Sequence, residues 1–586
     1  MDKQQPIYTE STKCRDCYKC VRECPVKAIR VTNEVASVML DRCVFCGTCV
    51  NVCPVGAKKL REDIGRVKLL LRQKERVIVS LAPSFITEFR GLEEGKLIRA
   101  LKKLGFWAVS ETALGAQEVS KACAEEMEKN GARPYISTAC PTAVELIKRY
   151  HTEFIPYLTP LSSPVIAHCK LLRQEYGDDI GIVMVGPCIA KKLESDANPD
   201  LLDVALTFAG IKRWLEESKI DPFLEAATDS DHFVPRHSTD GSLYPIDGGM
   251  AQSIAYYAKS EKIKYMAFSG IQYLQDSLLG LKETGSKQCL FLELLACDGG
   301  CVNGPKASKD CGTVMKWQRV LDYASEPEAD DKASLGLDLS QEISPSPPPE
   351  KKHSLAEIQE ALRRVGKQSA ADEINCSGCG YDSCRHFAEA LLVNRAEPSM
   401  CVSYMRDLAM NKANALIRSM PAGVALVDEH LLIVECNRRF AEIIGGDTLE
   451  IYDIDPGMRG ASLKKIAPEL STHFVRGLET ETLNFRKDVR IRDRLLRLTI
   501  FTVEKEHMVG GFLQDITEPA VQREQIIQRA QEVIHKNVKT VQQIAFLLGE
   551  NAAETEIMLD SLTSSFQLEQ SAAGGNALDE DSSHAS

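Results

Sequence analysis

Three short stretches hold the residues best suited to chemistry: Ser137-Thr138-Ala139-Cys140-Pro141, Gly186-Pro187-Cys188-Ile189-Ala190-Lys191-Lys192 and Leu295-Ala296-Cys297-Asp298-Gly299-Gly300-Cys301. They supply four cysteines, spread from residue 140 to residue 301, with Pro or Gly close by. Thiolates are soft ligands that suit iron–sulfur clusters, and four of them are the usual complement of a cubane. Flanking Gly and Pro fit turns in which backbone amides approach sulfur closely. Buried structural cysteines are the ordinary alternative at such wide separation. Two denser runs precede these stretches: Cys14, Cys17, Cys20 and Cys24 before Pro25, then Cys43, Cys46, Cys49 and Cys53 before Pro54. A fourth set, Cys376, Cys379 and Cys384 with a distant Cys401, lies far along the chain. Of 21 cysteines, that leaves Cys123, Cys169, Cys289, Cys311 and Cys436, whose default reading is a packed thiol.

The repeat within residues 1–62 is the two-cluster ferredoxin pattern, in which the fourth cysteine of each run ligates the other run's cluster. Zinc modules rarely show four closely spaced cysteines ending in Cys-Pro. The three later stretches, in their order, resemble the signature motifs of [FeFe]-hydrogenases. The resemblance implies that Cys140, Cys188, Cys297 and Cys301 hold the cubane of an H-cluster. It implies that Cys301 also bridges to a catalytic di-iron unit carrying CO, CN and a bridging dithiolate, and that Lys191 holds one of its cyanides. A charge-assisted hydrogen bond to an anion offsets the cost of burying that ammonium. Pro187 belongs to the same motif, and Ala82-Pro83-Ser84 resembles a segment lining the di-iron pocket.

Departures from the family pattern are informative. Productive members have a proton-relaying cysteine just before the first cubane ligand; here that position is Ala139, whose methyl group cannot move a proton. Alignment on Gly115-Ala116 puts Cys123 where a relay glutamate is expected, with Glu125 or Glu126 as substitutes. Motif methionines become Gly186 and Leu295, and a glutamine beside the cluster becomes Val165. Such losses are similar to those of the sensory branch of the family. General acid–base steps contribute about 10²–10⁴-fold, so slow turnover follows.

Residues 63–320 alternate helical and β-rich runs, and apolar strands at 76–81 and 182–185 deliver the chain to two of the motifs. Residues 321–353, acidic and then Pro-rich, read as a tether without regular structure. Residues 354–405, with a helix at 355–365, resemble a four-cysteine [4Fe-4S] module, with zinc as the rival occupant. Residues 409–517 read strand, strand, helix, then three strands ending in Asp515-Ile516-Thr517, and resemble a PAS domain with an unknown ligand. Residues 518–566 read as signalling or dimerisation helices, and within them residues 518–549 carry a heptad with Asn537 in its seam and His535 beside it, which predicts a paired, coiled-coil helix and a homodimer. Residues 567–586 read as a disordered tail.

The expected fold class is therefore multidomain, mixing α/β and α+β parts. With 586 residues, 44% of them hydrophobic, the chain can build several cores. Its net charge of −12 argues against nucleic acid or an anionic membrane as partner. No apolar run marks a secretory signal or a membrane span, and cysteines in ligand spacing fit a reducing cytoplasm. Read together, the order suggests a hydrogen or redox sensor. Implied partners are H2 and protons, a redox partner such as ferredoxin, H-cluster maturation enzymes and a downstream kinase or phosphatase. A metabolic hydrogenase and a non-catalytic iron–sulfur relay or assembly protein are the two rival readings.

Overall fold

A computed structural model describes residues 5–517 apart from 261, 282–288, 329–332, 480–484 and 493, together with residue 533. The expected paired helix and tail, with His535 and Asn537, lie outside the described residues. The chain forms two units, Met1–Glu397 and Pro398–Ser586.

The first unit begins with a duplicated motif. β1 (Ile7–Thr9), β2 (Ile29–Thr32), β3 (Val35–Val38) and β4 (Lys58–Leu60) form two antiparallel pairs, β1 with β4 and β2 with β3. Asn33 and Glu34, with φ of 51° and 60°, close the β2–β3 hairpin in the left-handed geometry that tight hairpins favour. Each cysteine run repeats one backbone course. Asp16 and Tyr18 (φ 51° and 54°) in the first copy correspond to Phe45 and Gly47 (φ 58° and 80°) in the second. Likewise Ala28 N donates to Cys24 Sγ and Ala57 N to Cys53 Sγ, both at 3.2 Å.

Next come two parallel sheets. β5 (Val77–Leu81), β6 (Ala108–Glu111), β8 (Gly181–Gly186) and β9 (Val204–Thr207) form one in the order β6-β5-β8-β9; β7 (Pro134–Ile136), β10 (Lys264–Ser269) and β11 (Leu290–Leu295) form the other, ordered β10-β11-β7. β5, β6, β8 and β11 are buried along their whole length, as expected of parallel strands covered on both faces. The sequence reading located β5 and β8 but left the second sheet unassigned. Ala82-Pro83-Ser84, Ser137–Cys140, Pro187-Cys188 and Ala296-Cys297 directly follow the carboxyl ends of β5, β7, β8 and β11.

Between the sheets' helices, packing is close. Gly115, in the helix Ala113–Asn130, lies against the backbone of Pro164 and His168. His168 is fully buried, its Nδ1 2.8 Å from Ser80 Oγ and its Nε2 2.8 Å from Ser110 Oγ, so it ties β5 to β6. Burial pushes its pKa down to about 3, which keeps the ring neutral.

Beyond residue 323, the described part of residues 321–353 carries no helix or sheet strand. Residues 321–323 complete the helix Thr313–Tyr323, and the later part is an extended strap fastened to the unit's surface. Ser162 N donates to Leu339 O (2.8 Å), Gln341 N to Pro160 O (3.0 Å), Ser346 N to Lys148 O (2.9 Å) and Arg42 Nη2 to Pro349 O (2.7 Å). Prolines remove donors but keep their carbonyls, and a strap whose backbone finds partners elsewhere needs no ladder of its own. After the helix Leu355–Arg363, opened by a Ser354/Glu357 capping box, the Cys376–Cys384 loop and the helix Cys384–Leu392 complete the unit.

The second unit contains β12 (Gly423–Asp428), β13 (Ile433–Cys436), β14 (Phe485–Ile491), β15 (Arg494–Glu504) and β16 (Met508–Asp515), an antiparallel sheet ordered β13-β12-β16-β15-β14. Helices Arg438–Ile444, Thr448–Ile454, Leu463–Ile466 and Pro468–Glu479 supply Phe440 and Phe474 to its core. Leu431 takes a left-handed turn (φ 59°), and Asp428 Oδ1 accepts from His430 N and Leu432 N. Asn437 caps the next helix through Phe440 N and also accepts from Val424 N.

Gly115→Ala should lower stability by about 1–3 kcal/mol, because its Cβ would meet backbone that cannot give way. Gly280→Ala, in the helix Ile271–Leu281 with nothing within 4 Å of the added carbon, should be neutral or slightly stabilising. Thermal unfolding of the two variants measures the difference, and equal effects would refute the packing argument.

Candidate functional site

The strand ends converge on one cavity. Cys140, Cys188, Cys297 and Cys301 line it, with Ala139, Pro187 and Lys191, and its volume is about 50 Å³. The structure thus brings together four cysteines that the chain keeps far apart. Burial and the nearby Cys140 push the Cys188 thiol up to about 11; burial likewise raises Cys297 and Cys301, with the other cysteines adding to it. Raised in this way, the Cys188, Cys297 and Cys301 thiols hold their protons unless a positive group replaces them. Among the described residues no three His, Cys, Asp or Glu side chains surround a point as ligands of a single ion would. A ring of thiols around a cavity is instead the donor set that a multi-iron cluster bridges, so these residues fit a cubane.

Lys191 stands at the start of the helix Ala190–Ala197, which begins just after β8. Its Nζ donates to Glu194 Oε2 (2.6 Å) and to Ser163 Oγ (3.2 Å), and Ser163 Oγ donates to Glu194 Oε1. Burial opposes the ammonium, but Glu194, Cys188 and Cys140 more than compensate, and its pKa rises above the usual lysine value. A fixed cation on the cavity wall can donate hydrogen bonds to an anionic group.

Of the positions that depart from the family pattern, one belongs to the cavity wall. Ala139 lines it directly. A side chain at Gly186 would meet Met184 Cε at 2.6 Å and Ala82 Cβ at 2.9 Å, so a methionine two residues earlier already occupies part of that space. Leu295 and Val165 are buried. Cys123 is fully buried and hydrogen-bonded to Thr159, its thiol pushed up by burial first and then by Glu126. Ala82, Pro83 and Ser84 lie at the carboxyl end of β5 but are not part of the cavity wall; the Ser84 hydroxyl is buried without a hydrogen-bond partner.

Sequence reasoning missed Glu293. It lies at the centre of β11, the only charged side chain in a wholly buried strand that leads to Cys297. Oε2 accepts from Ala251 N (2.9 Å), and Oε1 has no hydrogen-bond partner. Burial above all, with Asp247 adding to it, pushes its carboxyl up to about 8, and it is close enough to act on Cys301 electrostatically. A lone Glu within Leu-Phe-Leu-Glu-Leu-Leu was the available signal.

The ferredoxin cysteines sort as the repeat predicts. Cys14, Cys17 and Cys53 act electrostatically on Cys20, whereas Cys43, Cys46 and Cys24 act on Cys49. The second set borders the cavity, since Phe45 and Cys46 line it. In the later cysteine set, Asn375 and Ser377 (φ 51° and 56°) flank Cys376 as Asp16 and Tyr18 flank Cys17, and Cys379 and Cys384 are buried. That course fits a cluster-wrapping loop; Cys401, the last of this set, falls in the second unit.

Comparisons with known proteins agree with this layout. A family model described as iron only hydrogenase large subunit, C-terminal domain, matches residues 75–305; a 4Fe-4S dicluster domain matches 6–54, an Fe-S cluster model 372–403 and a PAS domain 411–486. Iron hydrogenase 1 of Clostridium pasteurianum is 26% identical over 374 residues, 52% of this chain and 65% of that protein. The chain thus spans just under two thirds of that relative's length. Cytosolic Fe-S cluster assembly factor narfl of Danio rerio is 24% identical over 309 residues, 41% of this chain and 74% of that protein. A solved [FeFe]-hydrogenase HydA1 from Chlamydomonas reinhardtii aligns at 17% identity and a TM-score of 0.38, covering 48% of this chain and 99% of that one. No described helix is long and apolar enough to cross a membrane.

Glu293 provides a pH test. The unfolded chain releases this proton near pH 4.5 and the folded chain holds it to about pH 8, so the group makes stability fall as pH rises through that window. Glu293→Gln should flatten that part of the stability–pH curve and remove a protonated-carboxyl infrared band that titrates near pH 8. An unchanged band in the variant would assign the proton elsewhere.

Proposed function

We propose that this [FeFe]-hydrogenase-like chain, with a PAS domain beyond its iron–sulfur domains, is a hydrogen or redox sensor that oxidises H2 slowly and reversibly. The observation that carries the reading is the cavity in which four thiols and Lys191 meet Ala139. The ligand set is complete, and the side chain that would relay protons is a methyl group. Held by Cys140, Cys188, Cys297 and Cys301, a cubane with a di-iron unit would supply the chemistry that converts H2 to two protons and two electrons.

The chain's own residues account for the rest. Lys191, held by Glu194 and Ser163, offers hydrogen bonds to an anionic ligand at a fixed place. Pro187 walls the cavity, and Ala82 packs beside Gly186. Glu293 holds a proton near the Cys301 side, but no thiol or carboxyl stands at position 139 to pass one on. Cys46 on the cavity wall gives electrons a route to the ferredoxin clusters. A redox change there would bias the PAS unit only if its two states differ in stability, which a sensor needs and a flux enzyme does not. Cytoplasmic location, a homodimer, ferredoxin as redox partner, maturation enzymes and a downstream kinase or phosphatase belong to the same proposal.

The second reading, an iron–sulfur relay or assembly protein without a di-iron unit, draws on the assembly-factor relatives. The retained Lys191 and the PAS domain favour the sensor.

Infrared spectra of anaerobically matured protein decide between them: carbonyl and cyanide bands that shift reversibly under H2 support the sensor, and their absence from protein with full iron content supports the relay. Ala139→Cys should raise H2 turnover by about 10²–10⁴-fold. An unchanged rate would show that the methyl group is not what slows the enzyme. Lys191→Ala should abolish the cyanide and carbonyl bands while cluster iron is retained, and their persistence would remove Lys191 from the pocket's function.

A further inference from the structure

The loop carrying Cys376, Cys379 and Cys384 is not an appendage on a tether. It packs on the ferredoxin segment that carries Cys20 and Cys24. A side chain at Gly380 would meet Val21 Cγ1 at 2.8 Å and Arg22 N at 3.1 Å, and Arg22 Nη1 donates to Gly378 O (3.4 Å). Val31 N donates to Arg395 O (3.0 Å) and Asn33 N to Glu397 Oε1 (2.6 Å), so backbone fastens the two on β2 and its hairpin turn. Lys27 pairs with Asp382 at 3.7 Å. Buried Tyr381 lies at this junction, within electrostatic reach of Cys379 on one side and Cys24 on the other.

Cys24 identifies which ferredoxin cluster the loop faces. Although it belongs to the first cysteine run, it groups in space with Cys43, Cys46 and Cys49. Cys46 in turn lines the hydrogenase cavity, and Gly47 is packed against Ile189 and Pro305 so tightly that a Cβ would come within 2.6 Å of each. One thiol set therefore borders the cavity through Cys46, lies within electrostatic reach of Tyr381 in the Cys376–Cys384 loop through Cys24, and shares its repeat with the Cys14, Cys17, Cys20 and Cys53 set.

We propose that the cluster held by Cys24, Cys43, Cys46 and Cys49 is a branch point, reached by electrons along two separate arms. One arm is the Cys14, Cys17, Cys20 and Cys53 cluster and the other is the cluster of the Cys376–Cys384 loop. Each step moves a single electron, oxidising the donor cluster and reducing the acceptor, with no bond made and no proton required; a one-electron chemical reductant such as dithionite supplies the electrons. The proposal rests on the iron–sulfur part of the functional reading and not on the di-iron unit.

Electron paramagnetic resonance of the reconstituted full chain, reduced with dithionite, tests it. Reduced clusters in contact broaden and split each other's signals. Cys379→Ala should remove about four irons and one component of the splitting on the branch-point signal; Cys14→Ala should remove a different component and leave the loop cluster's coupling intact. Gly380→Val, which presses the loop away without touching a ligand, should reduce the loop's coupling at unchanged iron content, and this keeps the test valid if a ligand variant misfolds. Loss of the loop's coupling in Cys14→Ala would make the chain linear and overturn the branch. No coupling from a fully loaded loop, or zinc in place of iron there, would overturn it too. Absent carbonyl and cyanide bands would sink the hydrogen reading while leaving these results intact.

Discussion

Everything in the first unit depends on bringing four thiols from distant parts of the chain to one buried place. Burial drives Cys188, Cys297 and Cys301 toward their neutral forms, and neighbouring thiolates would repel one another, so the arrangement is costly without a cation to share. Two parallel sheets solve the positioning problem. β7, β8 and β11 end at the same cavity, and each strand is fixed by burial on both faces before its motif begins. The rigid parts are thus the sheets, and the chemistry occupies the turns beyond them.

Around that centre, charge is placed where it can be balanced. Lys191 is paired with Glu194, and Lys192 donates to the fully buried Asp63, which also accepts from Arg61 at the end of the ferredoxin segment. Two neighbouring lysines of one motif therefore do different work. The first faces the cavity; the second ties the motif's helix to the chain that precedes the sheets. Removing either partner of the Lys192–Asp63 pair would leave a buried charge unpaired, the costliest way to break such a contact.

Much of this was legible because cysteine spacing and backbone course are coupled. The ferredoxin repeat could be read down to the exchange of its fourth cysteines, since Cys-Pro endings and even spacing leave few alternatives. β5 and β8 were legible as continuous apolar runs. The second sheet was not: β7 is only three residues long and β10 is partly exposed, so neither stands out from its flanks. The strap's lack of helix and strand was legible in its Pro-rich composition but its attachment was not, because composition reports what a segment cannot do for itself, not what its neighbours do for it; Leu339 is buried by the helices it crosses. Glu293 escaped notice because one acid in an apolar strand carries no spacing pattern. Its meaning comes from the unpaired oxygen and from proximity to Cys301, and both exist only in three dimensions.

Gly47 has a further consequence. With no room for even a methyl group between it and Ile189 or Pro305, the loop carrying Cys43, Cys46 and Cys49 cannot slide or tilt against the cavity-bearing part of the unit without breaking van der Waals contact. Tunnelling falls off exponentially with the gap an electron must cross. Were clusters bound on both sides, a seam with no slack would turn steric fit into a rate constant: its packing would set how quickly the two centres equilibrate, and a bulkier residue there would act as a resistor rather than as a cut.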